Sequence, residues 1–232
     1  KENEATLADA ATDWRLRRIS TLRLARRELV AALNGLPIYL MITLACLVAA
    51  LLIKSYLDYV AANGTMVLAN ALHAPILFAV LASNGVLCLA AAAGLAGERE
   101  RGTLEVLFYG PVDSKAYIFG KMLGHLAVYL VVLVGLLIFL LIASVMTGMW
   151  LDTSGLLLLV SSVLPAASMI ALGLLLAALI GRQRAAVALT ALLLLLFVAI
   201  DFGNQFVAAQ PADTALGSAA GTIARISAVI EW

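Results

Sequence analysis

The sequence predicts an all-α, polytopic membrane protein, and three observations carry that expectation. Only 12% of the 232 residues are charged, about half the share of a soluble domain. Mean hydropathy is +1.06. Several apolar runs reach the roughly 20 residues that a helix needs to cross a bilayer core.

Taken in order, residues 1–13, KENEATLADAATD, are polar and read as a disordered tail. Residues 14–36 read as an amphipathic helix lying in the membrane interface. Leu22, Ala25, Leu29 and Leu33 share one helical stripe, and Arg23, Arg27 and Glu28 lie off it. The first span is expected from Pro37 to Ile53, followed by a short polar loop holding Lys54 and Asp58. The second covers Ala74–Gly97, the third Met122–Met146, the fourth Gly155–Gly181 around Pro165, and the fifth Ala185–Phe206. The transmembrane domain thus fills residues 37–207. Residues 208–232 place Leu216, Ala219, Ile223, Ile226 and Ile230 on one stripe but are too weakly apolar to span. That segment reads as an outer re-entrant or interfacial helix, and a sixth span is expected beyond Trp232.

Charge sets the orientation. Of the 15 lysines and arginines, all but Lys54 and Arg225 fall on segments that share a side with the N-terminus. Cationic loops stay in the cytoplasm, so the N-terminus is expected there, in an inner membrane.

Several chemistries are missing. Residues 110–115, GPVDSK, lack the glycine and the spacing of a phosphate-cradling loop. No HExxH or GxSxG pattern occurs, and Cys46 and Cys88 both sit in apolar runs without metal-ligand spacing. The chain is therefore expected to hold no catalytic residue, metal or cofactor and to bind no nucleic acid. Polar groups inside spans are functional candidates by default. Asn84 and Asp201 are the candidates for a pathway. The serines Ser83, Ser161, Ser162 and Ser168 read as bonded to their own helix backbones. Gly173, Ala177 and Gly181 recur at four-residue spacing, as do Gly120 and Gly124, a pattern that lets helices approach closely.

The most telling stretch is GERERGTLEVLFYGPVDSKAYIFGKML, residues 97–123, with four charges of each sign between two apolar runs. Gly102 breaks a helix, Thr103 can cap a short one, and Gly110-Pro111 ends it. Asp113 or Ser114 can cap the next. The short helix carries Leu104, Val106, Leu107, Phe108 and Tyr109, too much apolar surface to face water alone.

The pattern E-x-E-x-G-T-L-E-x-L-x-x-x-P, here Glu98, Glu100, Gly102, Thr103, Leu104, Glu105, Leu107 and Pro111, followed by Gly120 and Lys121, resembles the permease subunits of ABC transporters of the type 2 exporter class. The ARREL segment, Ala25–Leu29, and the order of spans resemble that class as well. Among its subgroups the chain is similar to the permeases linked to nitrous-oxide-reductase maturation and to gliding motility. The resemblance implies six spans, a dimer with a second copy or a homologous permease, and a separate cytoplasmic ABC ATPase that binds ATP and magnesium. It implies a coupling element at residues 98–120, with Thr103, Leu104, Glu105, Val106 and Leu107 contacting the ATPase and Arg17–Leu33 beside the same groove. Spans this apolar fit lipids, hydrophobic peptides or a mechanical role better than a small ion. The rival functions are a membrane scaffold that recruits a cytoplasmic partner and an intramembrane enzyme.

Overall fold

A computed structural model describes residues 21–64, 71–103 and 114–208, with side chains through residue 200. Within the described residues the chain is helical. α1 occupies residues 21–33 and α2 Leu36–Asn63. α3 is His73–Glu100 and α4 Ser114–Thr147. α5 is Thr153–Ser161, α6 Val163–Ile180 and α7 Gln183–Ala208. Five helices are long and apolar enough to cross a membrane, with α5 and α6 together forming one of them.

Two boundaries differ from those expected. α2 continues ten residues past Ile53, through the stretch read as a loop. Lys54 and Asp58 stand one turn apart on it and pair at 2.5 Å, so their charges decorate a helix instead of ending it. The helix stops at Gly64, in the left-handed conformation. α4 begins at Ser114, eight residues ahead of the apolar run, and carries Tyr117 and Lys121 on its first turns.

Residues up to Val187 form one compact unit, and α3 is its centre. It packs on α2, α4, α5 and α6, most extensively on α6. Half of α3's apolar stretch is buried, against 28% for α2, α4 and the α5–α6 span. Ala and Gly line this core: Ala79, Ala91, Ala92 and Ala96 of α3 are buried, as are Ala166, Gly173 and Ala177 of α6. The approach is closest at Gly173. A methyl there would stand 2.3 Å from the carbonyl oxygen of Cys88. Without a hydrophobic drive between helices in lipid, such tight contact is what holds them together. Residues from Ala188 onward form a second unit, described as the remainder of α7.

The serines take their expected bonds. Ser83 donates to the Ala79 carbonyl, Ser161 to Leu158, Ser162 to Leu159 and Ser168 to Pro165. The fourth span breaks at Ser162, three residues before Pro165, whose ring cannot follow an unbroken turn. Ser162 also accepts the Tyr129 hydroxyl from α4 at 2.8 Å, tying the break to its neighbour.

At the start of α5, the Asp152 carboxylate accepts the Thr153 amide at 2.7 Å and the hydroxyls of Thr153 and Ser154. The Thr153 amide and then the two hydroxyls hold its carboxyl below the usual range. A depressed carboxyl stabilises the fold above its unfolded value and loses that contribution as pH falls through its folded one. Asp152→Ala is expected to speed amide exchange over Thr153–Leu156 at neutral pH. Wild type should approach the variant only below about pH 4, the unperturbed carboxyl value. Exchange read by mass spectrometry, corrected for intrinsic rates, checks this.

Candidate functional site

The charged end of the second span is an ordered junction. It begins with α1, whose packed face carries Leu24, Ala25, Glu28, Leu29 and Ala32, while Leu22 and Leu33 are exposed. This face is rotated from the expected stripe, and Glu28 lies on it. The reason is a charge partner 93 residues away. Glu28 meets the ammonium of Lys121 at 3.1 Å.

Lys121 is 1% exposed. A lone ammonium so buried would be strongly disfavoured. It is held by a second carboxylate, Glu98 at the end of α3, at 2.9 Å, and lies 5.7 Å from the centre of the Tyr117 ring. The other oxygen of Glu98 accepts the Tyr117 hydroxyl. Arg27 approaches Glu98 at 3.8 Å from the outside and, being largely exposed, adds little. α1 comes this close to α4 because Gly120 and Gly124 make room. A methyl at Gly124 would stand 2.7 Å from the Glu28 Cβ.

The next two residues turn elsewhere. Arg99 donates to the Ala178 carbonyl at 2.5 Å, in the last turn of α6, where carbonyls lack helical partners and attract a cation. Glu100 accepts the backbone amide of Gln183 at 3.0 Å, the first residue of α7, where a free amide attracts an anion. Glu98, Arg99 and Glu100 thus join α3 to α1, α4, α6 and α7. Gly102 then takes a left-handed turn (φ 70°), and the Thr103 hydroxyl donates to the Glu98 carbonyl at 2.8 Å.

Of the residues expected to contact an ATPase, Thr103 is therefore anchored directly to the junction. Leu104, Glu105, Val106 and Leu107 lie outside the described residues. Asn84 is buried at mid-span, and its Oδ1 has no hydrogen-bond partner among the described residues. Asp201 sits on α7, with its side chain outside the described residues. Asn84 belongs to the first unit and Asp201 to the second.

Sequence reading placed Glu98 and Lys121 in a motif but missed their pairing and missed Glu28, Tyr117 and Arg99. A usable signal existed. Lys121 stands seven residues into α4, at the edge of its apolar run, where a buried lysine requires a carboxylate. The junction is electrostatic: carboxylates, an ammonium, a guanidinium and bare helix ends hold one another.

A family model described as ABC-2 family transporter protein matches residues 76–225. No curated protein and no solved structure matches the chain.

Proposed function

Since the chain belongs to the ABC-2 family of transporter proteins, as a multi-pass membrane permease component of an ABC transporter, we propose that it converts ATP hydrolysis on a separate ATPase subunit into export of a substrate. In this reading the charged junction faces the cytoplasm, in an inner membrane, with the N-terminus on that side. The ends it gathers, those of α1, α3, α4, α6 and α7, are the ones the lysine and arginine distribution assigns to one side. ATP and magnesium belong to the partner, and two permeases enclose the path.

The observation that carries the proposal is the wiring of Glu98, Arg99 and Glu100 to four other helices. A push received at residues 103–113 enters at a point already bonded to α1, α4, α6 and α7. A flexible loop would dissipate it. The contact itself is assigned to Thr103, Leu104, Glu105, Val106 and Leu107, of which the apolar side chains of Leu104, Val106 and Leu107 suit a groove in a soluble subunit. ATP-driven change in the partner then shifts the permease between inward-open and outward-open states.

The test is to tag the chain in its native membrane and purify it gently. A soluble subunit with an ATP-binding loop is expected to co-purify in a one-to-one ratio. The double variant Leu104→Asp, Glu105→Arg should insert normally and lose that subunit by at least tenfold. Unchanged recovery of the ATPase would reject the assignment. An ATPase that binds but is never stimulated by any substrate would instead mark the chain as a scaffold.

A further inference from the structure

Beside the junction lies a cavity of about 210 Å³, walled by α1, the start of α2, α3 and α4. Its lining is apolar except for Glu28 and His125. Two of its wall residues, Ala31 and Pro37, are exposed at the elbow between α1 and α2, so the cavity opens there. Its volume is below the roughly 300 Å³ where drug-sized sites begin, a space for a small guest.

The buried charge beside it is unevenly shared. Two carboxylates, Glu28 and Glu98, share the one buried ammonium of Lys121. Glu98 also receives the Tyr117 hydroxyl and faces Arg27. Glu28 receives only Lys121 among the described residues, through one oxygen, Oε1. The second oxygen takes no hydrogen bond from a described residue, in a site of lowered dielectric where a cation is worth more than in water.

We infer that this cavity binds a small amphiphilic ammonium, its charge on the Glu28 carboxylate and its aliphatic body against the walls that include Met41 and Ala90. Apolar walls with one ionised group are the usual build of a small-molecule site. The guest takes the Glu28 oxygen that Lys121 leaves open, so occupancy divides the carboxylate between two cations and weakens the bond that ties α1 to α4. Two sources offer this chemistry, a free alkylamine and the headgroup of an aminophospholipid entering at the elbow.

The inference needs no ATPase and no turnover, so it is tested apart from the transport reading. The chain is placed in nanodiscs of phosphatidylcholine, and n-hexylammonium chloride and hexan-1-ol are titrated with saturation-transfer NMR, using protein-free discs as background. Hexylammonium is expected to bind at least about tenfold more tightly than hexanol, about 1.4 kcal/mol. Glu28→Gln should abolish that preference. Ala90→Phe should remove binding of both. Ala31→Phe, at the exposed mouth, serves if Ala90→Phe lowers the melting temperature. Equal affinity for amine and alcohol in the wild type, or binding undiminished in both filling variants, would overturn the inference. Competition by added phosphatidylethanolamine would identify a lipid headgroup as a source, and its failure to compete would leave free amines.

Discussion

Lys121→Met is expected to be strongly destabilising. Methionine matches the aliphatic stem of lysine and removes only the ammonium. Two carboxylates then face each other without their shared cation. Breaking a wholly buried ion pair costs about 3–5 kcal/mol. Glu28 and Glu98 keep 20% and 26% of their side-chain exposure, so the lower end of that range applies. Melting followed by size-exclusion fluorescence in mild detergent should show a large drop. The decisive comparison is the triple variant Lys121→Met, Glu28→Gln, Glu98→Gln, which removes all three charges. It should recover most of the loss, because the penalty comes from stranded charge and not from lost packing. If the triple variant is as unstable as the single one, charge pairing is not what Lys121 contributes.

The second large effect is expected at Gly173. A Cβ there meets backbone, the carbonyl oxygen of Cys88 at 2.3 Å and its carbon at 3.2 Å. Neither atom can rotate away. α3 and α6 must part by about 1 Å to restore ordinary contact near 3.5 Å, along the largest interface of the unit. Gly173→Ala should therefore destabilise by about 1–3 kcal/mol, as overpacking does, and Gly173→Leu by more. Gly85, within α3, is the matched control. A Cβ there meets nothing within 4 Å. Gly85→Ala should be neutral or stabilising, up to the 0.5–1 kcal/mol by which alanine exceeds glycine inside a helix. Thermal melting of both variants side by side checks the opposite signs. Equal effects would mean that helix propensity, and not close approach, governs the pair.

These two sites differ in how far the sequence exposed them. The five spans follow from run length and apolarity alone, since the bilayer imposes both. Gly173 was legible through its spacing to Ala177 and Gly181, and the serines through the habit of a hydroxyl in lipid to bond its own backbone. The extension of α2 was hidden because Lys54 and Asp58, read singly, look like loop residues and only as a one-turn pair support a helix. The junction was legible as a place and not as a circuit. Glu98 and Lys121 are 23 residues apart, Glu28 and Lys121 93 residues apart, and no periodicity links such distances. Glu28 was assigned to the wrong face for the same reason, because its burial is set by a partner on another helix. Arg99 and Glu100 find their partners at bare helix ends, and those ends have no side-chain signature to read.

The three consecutive side chains at the end of α3 also constrain movement. Neighbouring residues on an α-helix point about 100° apart, so Glu98, Arg99 and Glu100 leave the axis in three directions and each is fastened at its tip. A helix held on one side can roll about its axis, whereas one moored on three sides cannot roll without tearing a bond. α3 is thus keyed like a shaft in a hub. It can tilt or slide only if the ends of its neighbours travel with it. Any pivot must then lie away from this end.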